Sequence, residues 1–163
     1  MTAEPDTTPG SARTPTPKQR RRARERALQA LYQQLLNRTP VDRLEAQFME
    51  DPAMLKLDLE HFRRLVRGVS EAGEALDELF APVVTRPVAE LDPIERAILR
   101  LGVFELRDCP DIPWPVILNE CIELAKLFGA TDGHRFVNGV LDKMAQRLRP
   151  DEVRETRSRR GRG

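Results

Sequence analysis

Residues 92–106, DPIERAILRLGVFEL, contain the clearest helix start in this chain. Asp92 is a residue type that caps helix N-termini, Pro93 suits the first turn, and Glu95 can reach back as in a capping box. An apolar stripe at helical spacing follows: Ile94, Ile98, Leu101 and Val103 or Phe104. The stretch therefore predicts a long helix with one buried face.

The same periodicity on both sides of this helix predicts an all-helical protein without strands. Five further helices are expected: 18–36, 39–51, 58–81, 116–128 and 131–148, with a short turn near Pro87. Gly68 and Gly73 either weaken the third helix or allow a neighbour to pack closely. With 163 residues, 40% of them hydrophobic, the chain can bury a core. We predict an all-α fold of two small helical bundles packed together.

Composition divides the chain into four parts. Residues 1–17, rich in Pro and Thr, and the charged residues 151–163 predict disordered tails. Between them, residues 18–82 are expected to form an N-terminal helical subdomain with an arginine-rich start, and residues 83–150 a C-terminal helical subdomain. The segment 83–91 is the predicted seam.

The formal net charge of +1 hides an uneven distribution. Residues 18–26 hold six basic residues and one acidic residue, and residues 151–163 hold five basic and three acidic residues. Residues 27–150 hold 15 basic and 20 acidic residues. The basic ends favour contact with nucleic acid, and the acidic body favours a basic protein.

Several function classes are excluded by what the sequence lacks. Cys109 and Cys121 form no CxxC pair and have no nearby His, so no metal site is expected. The two histidines, His61 and His134, suggest no catalytic arrangement, and no glycine-rich phosphate loop indicates a cofactor. No apolar run approaches the roughly 18 residues of a membrane span. We expect a soluble cytoplasmic protein that is not an enzyme.

The basic stretch Lys18–Arg26 is the strongest functional signal. Positive charge at a helix N-terminus opposes the helix dipole, so helix stability does not explain it. RNA phosphates would supply the missing negative charge. The alternative is a solvated helix start. An anionic membrane surface is disfavoured, because the apolar face of this helix has the pattern of a protein core.

Two aromatic residues could add base recognition to such a surface. Tyr32, the only tyrosine, shares a side of the first helix with Arg21 and Leu28, and from spacing alone it is equally a half-buried aromatic. Residues 131–136, TDGHRF, place an Arg and a His at a helix N-terminus, which suits an anion. By its spacing alone, Phe136 would be a core residue.

Residues 17–33, PKQRRRARERALQALYQ, residues 91–106, and above all residues 119–143, NECIELAKLFGATDGHRFVNGVLDK, resemble the NusB family of bacterial transcription antitermination factors. The resemblance runs from about residue 17 to residue 150. It implies an all-helical, non-enzymatic protein of two bundles. Such proteins bind the single-stranded boxA element of ribosomal RNA leader transcripts together with NusE, in a complex with NusA, NusG and RNA polymerase.

The resemblance also implies site residues. Its RNA-binding positions fall on Lys18, Arg20, Arg21, Arg22, Arg24, Tyr32, Arg100, Asp132, Arg135 and Phe136. Phe136 is then a base-stacking platform, and Glu95 is the predicted contact with NusE. Gly133 stands where relatives often carry Ser, which removes one side-chain hydrogen bond to RNA. Some relatives form homodimers, and the sequence does not decide whether this chain does.

Two other interpretations compete with this one. The protein could be an adaptor between proteins, with its arginines merely solvated. It could also resemble the RNA-binding domain of a ribosomal RNA methyltransferase, but no cofactor-binding domain is expected after residue 150.

Overall fold

A computed structural model describes residues 14–161 of the chain. Eight α-helices follow one another in these residues: α1 Pro17–Asn37, α2 Val41–Met49, α3 Leu59–Ala72, α4 Glu74–Phe80, α5 Pro93–Asp108, α6 Trp114–Phe128, α7 Gly133–Leu148 and α8 Pro150–Gly161. Short 3-10 helices lie at Pro52–Lys56, Ala81–Val83 and Val88–Glu90. Within the described residues there is no strand, which confirms the all-α prediction.

Helix α5 is central to the fold, and it begins where the sequence predicts. The Asp92 carboxylate accepts hydrogen bonds from the backbone N–H groups of Ile94, at 2.9 Å, and Glu95, at 3.2 Å. The reciprocal bond from the Glu95 side chain, expected for a capping box, is not among the contacts of this helix start. Ten of its 16 residues are buried, so α5 is enclosed on most sides.

Helices from both halves of the chain pack against α5. Helices α1, α3 and α4 contact it from the first bundle, and α6 and α7 contact it from the second. One hydrophobic core therefore crosses the predicted seam, with fully buried residues such as Phe62, Phe80, Ile98 and Leu141. The boundary between residues 18–82 and 83–150 stays a prediction.

The predicted third helix is in fact two helices, and Gly73 separates them. This residue has φ +43° and ψ −114°, a backbone conformation outside the helical region. Gly68 instead allows a neighbouring helix to pack closely, which is the second role that the sequence allowed. A Cβ on it would lie 2.2 Å from Cζ of Phe104, so its small size lets α3 pack closely against α5.

The predicted tails also need correction. Residues 1–13 lie outside the described residues, but Thr16 caps α1 and Pro17 is its first residue. Residues 150–161 form α8, although the sequence predicted disorder from residue 151. Helix α8 is held by one buried apolar side chain, Val153, and by the Trp114 indole, which donates to Thr156 Oγ1 at 3.2 Å.

Arg149, between α7 and α8, anchors this junction. Its guanidinium donates to four backbone carbonyls at the end of α5 and in the loop that follows: those of Glu105, Leu106, Cys109 and Ile112. It also pairs with Glu152 of α8 at 3.1 Å. A single side chain thus ties the last turn of the central helix to the loop that follows it and to the start of α8.

Replacing Gly73 by Ala is expected to destabilise the protein by about 1–3 kcal/mol, because L residues rarely adopt its positive φ. Urea denaturation followed by far-UV circular dichroism measures this change. Gly139→Ala is the matched control: it lies inside α7, where a Cβ would meet nothing within 4 Å. That substitution is expected to stabilise by about 1 kcal/mol, since Ala is the better helix former. Equal effects of both substitutions would contradict the assignment of Gly73 as a required helix break.

Candidate nucleic-acid interface

The start of α1 is a well-formed helix end in spite of its charge. Thr16 Oγ1 accepts from the Gln19 backbone N–H at 3.1 Å, and Gln19 Oε1 accepts from the Thr16 N–H at 2.9 Å. This capping box and Pro17 fix the helix start, while the first turn contains no acidic residue. The basic side chains are therefore held on a rigid helix.

Arg24 is buried and paired, which argues against its predicted contact with RNA. Only 2% of the residue is exposed, and its Nη2 lies 2.8 Å from Glu105 Oε2 of α5, with Nε donating to the same carboxylate. His61 Nε2 of α3 lies 3.2 Å from the same oxygen. Burial opposes ionisation of Glu105, but the hydrogen bonds from His61 and Arg24 outweigh it and lower the pKa of this carboxyl. The three side chains join α1, α3 and α5.

Two further arginines of the basic start are paired but remain accessible. Arg20 Nε donates to Asp58 Oδ2 at 3.2 Å, and the Arg20 side chain is 36% exposed. Arg21 makes a two-pronged contact with Glu120 of α6, in which Nε and Nη2 each lie 3.0 Å from a carboxylate oxygen. The Arg21 side chain is 53% exposed. Both could reach a phosphate only in competition with these carboxylates.

Lys18 and Arg22 are the open cations of this helix start. Both are exposed, and neither makes an ion pair within the part of the chain that the structure describes. Together with Pro17, Arg21 and Glu25 they line a surface hollow of about 580 Å³. These side chains could bind phosphate oxygens without first losing a partner.

A groove separates the start of α1 from α6. Arg21 and Glu25 form one side, and the α6 side chains on the other are Glu120, Glu123, Leu124, Lys126 and Leu127. The groove has a volume of about 290 Å³, and Leu127 within it is 61% exposed. The second predicted cluster lies further along the chain, at the start of α7.

That second cluster is largely open to solvent. The side chains of Asp132 and Arg135 are 68% and 80% exposed, with Oδ1 and Nε 3.8 Å apart. Asp132 takes the position before α7 with φ +65°, yet its side chain makes no capping hydrogen bond. Phe136 is half-buried and packs against the core, which leaves part of its ring accessible.

Tyr32 and Arg100 differ in how accessible their side chains are to RNA. Tyr32 is half-buried on α1, consistent with either interpretation of its spacing. Arg100 is engaged within the fold: its guanidinium binds both carboxylate oxygens of Asp77, at 2.8 and 2.6 Å, and its side chain is 13% exposed. Burial opposes ionisation of Asp77, but hydrogen bonds from Arg100 and Arg96 lower the pKa of that carboxyl. Arg100 is thus a weak candidate for a phosphate contact.

The Glu95 side chain is also largely buried. It is 8% exposed, and its Oε1 would lie only 2.6 Å from a Cβ added to Gly133 at the start of α7. Burial, reinforced by the nearby charge of Asp92, raises the pKa of the Glu95 carboxyl. The absence of a side chain at Gly133 makes room for this carboxylate. Contact between Glu95 and a protein partner stays a prediction.

The described residues contain no group of three or more His, Cys, Asp or Glu side chains that could hold a metal ion. Cys109 and Cys121 are buried, and burial raises the pKa of the Cys109 thiol to about 12. No helix among residues 14–161 is both long and apolar enough to cross a membrane.

The fold and the site together define a small all-helical protein with a rigid basic helix end beside a shallow groove, an arrangement suited to holding a nucleic-acid backbone. Comparison with known proteins identifies the group to which it belongs. The chain is a member of the NusB family, whose sequence model matches residues 21–146.

Individual relatives agree with this assignment. Over 156 residues, 94% of this chain and 99% of the relative, it is 48% identical to the transcription antitermination protein NusB of Marinobacter nauticus. It is equally similar, 48% over 136 residues, to the protein of that name from Colwellia psychrerythraea, covering 83% of this chain and 99% of the relative.

Solved structures show the same fold. Thermotoga maritima NusB superposes with a TM-score of 0.74 at 28% identity, over 86% of this chain and 99% of that one. A crystal structure of antitermination factors NusB and NusE in complex with double-stranded RNA gives a TM-score of 0.71 at 24% identity, over 80% of this chain and 98% of its counterpart.

Replacing Arg24 by Met is expected to destabilise the protein by about 3–5 kcal/mol near neutral pH, because Glu105 would remain as a buried, poorly paired charge. Urea denaturation at several pH values measures the effect. Arg22→Met, an exposed site on the same helix, serves as control and should change stability by less than about 0.5 kcal/mol.

The pH dependence has a definite sign. The folded protein lowers the pKa of Glu105 below its ordinary value of 4.5. The Arg24–Glu105 pair therefore stabilises the fold above about pH 4.5, and this contribution is lost as the pH falls through the pKa of the folded state. The difference between wild type and Arg24→Met should therefore shrink below about pH 4.5. A difference independent of pH would contradict an ionised Glu105.

Proposed function

We propose that this protein is a transcription antitermination factor that binds the boxA element of ribosomal RNA leader transcripts together with NusE. The observation that carries this proposal is the exposed pair Lys18 and Arg22, with the half-exposed Arg21, on the capped start of α1. Near full-length similarity to proteins named transcription antitermination protein NusB supports it. In this proposal the protein acts in the cytoplasm, as part of a Nus complex with RNA polymerase, and supports transcription of ribosomal RNA operons.

The proposed RNA contacts divide into two kinds. Lys18, Arg21 and Arg22 neutralise phosphates, which gives affinity without choice of sequence. Tyr32 and Phe136 supply aromatic rings on which single-stranded bases can stack. Asp132 and Arg135, exposed at the start of α7, lie close in sequence to Phe136 and could bind base edges or the backbone.

The proposal includes no catalytic step and no cofactor. Its partners are the RNA, NusE and the polymerase complex. A homodimer of the free protein stays an open alternative. The acidic body, with 15 basic and 20 acidic residues over 27–150, would face a basic partner protein.

A protein adaptor that hardly touches RNA is the second candidate. Its support is that four of the six basic residues of the helix start, Arg20, Arg21, Arg24 and Arg26, already have carboxylate partners within the protein. A complex with NusE is expected under both proposals. Only the RNA-binding proposal expects that complex to bind RNA more tightly than either protein alone.

Fluorescence anisotropy with a labelled boxA-type single-stranded RNA, with and without NusE, tests the proposal. We expect tighter binding with NusE, a preference over a scrambled sequence, and a steep loss of affinity between 50 and 200 mM salt, as roughly one counterion is released per phosphate neutralised. A duplex of the same sequence is the second comparison, because the structurally similar NusB and NusE were crystallised with double-stranded RNA. Weak, equal binding of all three RNAs would favour the adaptor.

Replacing Phe136 by Ala is expected to weaken binding of the boxA-type RNA by about 1–3 kcal/mol through loss of stacking. Phe48→Ala is the matched control, since Phe48 is also a half-buried phenylalanine packed against the core but lies on α2. Both variants should lose some stability, measured by urea denaturation, but only Phe136→Ala should lose affinity when folded. An unchanged affinity of folded Phe136→Ala would make Phe136 a core residue only.

Replacing Arg22 by Ala should weaken binding of all single-stranded RNAs alike and reduce the slope of log K against log salt by about 0.7. Arg43→Ala, which removes an exposed arginine from α2, should change neither quantity. The same anisotropy titrations at four salt concentrations give both numbers. A loss confined to the boxA-type sequence would instead indicate that Arg22 reads bases.

A further inference from the structure

The contact between Arg21 and Glu120 bears directly on how strongly the basic start can hold a phosphate. Both prongs of the guanidinium face the carboxylate, with Nε and Nη2 each 3.0 Å from an oxygen. This is the geometry with which arginine also binds phosphate, so the carboxylate occupies the donors that an RNA backbone would use.

The surroundings of this contact favour the closed pair. Glu120 is only 15% exposed, whereas Arg21 is 53% exposed, so the carboxylate is the enclosed partner and the arginine is the one that solvent or a ligand can reach. The groove itself holds three acids, Glu25, Glu120 and Glu123, against the cations of Arg21 and Lys126. With a net negative charge there, a phosphate approaching Arg21 is repelled by the groove.

Glu120 also faces other cations of the helix start. With Arg20 and Arg24 it lines a second hollow, of about 200 Å³, beside Pro17. Arg24 is already paired with Glu105 and Arg20 with Asp58. Arg21 is therefore the arginine of this helix whose donors Glu120 controls.

We propose that Glu120 is an affinity-setting residue that competes with RNA phosphate for the guanidinium of Arg21. The inference rests on the proposed RNA-binding function and refines it. An RNA backbone at α1 must displace the carboxylate before it gains the Arg21 contact, so Glu120 lowers the affinity for every RNA. Contact with the RNA backbone alone therefore gives a lower affinity, so the protein prefers RNA sequences whose bases also contact Tyr32 and Phe136.

The test is Glu120→Gln, which keeps the shape of the side chain but removes its charge. Binding of a labelled single-stranded RNA should tighten by about three- to fivefold, the scale of an exposed ion pair. The salt dependence should steepen by up to about 0.7, because in the wild type the displaced Glu120 carboxylate takes up a cation that offsets one released counterion. The scrambled RNA should gain at least as much as the boxA-type RNA, so the preference between them should not rise.

A closely matched control exists elsewhere in the fold. Glu45 of α2 pairs with Arg67 of α3 at 2.7 and 2.8 Å, the second contact being a hydrogen bond, and the side-chain exposures are 10% and 56%. Glu45→Gln therefore removes the same charge from a pair of similar exposure that the proposed interface does not use. It should change RNA affinity by less than about twofold, which separates a local effect from the change in net charge.

Arg21→Ala provides the second arm. If Glu120 acts through Arg21, adding Glu120→Gln to Arg21→Ala should produce no further gain in affinity. Circular dichroism melts of all variants identify any that fail to fold.

The outcomes separate this inference from the function on which it rests. If wild type binds RNA and Glu120→Gln binds equally or more weakly, the inference is wrong; weaker binding would mean that Glu120 orients Arg21 for the phosphate. A gain that persists without Arg21 would also overturn it. If neither wild type nor Glu120→Gln binds RNA, with or without NusE, the proposed function fails and the inference fails with it.

Discussion

The buried carboxylate of Glu105 is the constraint on which the rest of the structure depends. Its side chain binds Arg24 of α1 and His61 of α3, while its backbone carbonyl accepts a hydrogen bond from Arg149 at the end of α7. A charge at this depth is tolerated only with partners in good geometry, so the three helices have little freedom to shift against α5. Apolar contacts alone would allow these helices to pack against α5 in several registers, whereas the hydrogen bonds of Glu105 fix one register.

The network also explains how one basic run serves two purposes. Successive residues on a helix point about 100° apart, so a run of arginines cannot face one side. In α1 the register fixed by Arg24 turns Lys18 and Arg22 to solvent and leaves Arg20 and Arg21 beside carboxylates of α3 and α6. Part of the positive charge of this helix start therefore neutralises carboxylates of the protein itself and is not free to bind a polyanion.

Sequence analysis anticipated what depends on local pattern and missed what depends on distant partners. The Asp92 cap and the stripe of α5 are local, and both agree with the structure, apart from the reciprocal Glu95 bond. Burial of Arg24 depends on Glu105, 81 residues away, so the run of basic residues gave no sign of it. The apolar periodicity favoured one long helix across Gly73, because a single residue with positive φ does not change the spacing of the apolar residues on either side. Helix α8 was missed because one valine docks an otherwise charged segment.

The junction between α6 and α8 has a practical consequence. Trp114 is the only tryptophan of the chain; it is 6% exposed, and its indole N–H donates to Thr156. Excited at the long-wavelength edge of its absorption, where Tyr32 absorbs little, the unlabelled protein therefore emits from one residue that reports on the docking of the C-terminal helix. Unchanged emission on RNA binding would show that α8 stays docked, whereas a shift to longer wavelength would show that Trp114 had become exposed to water.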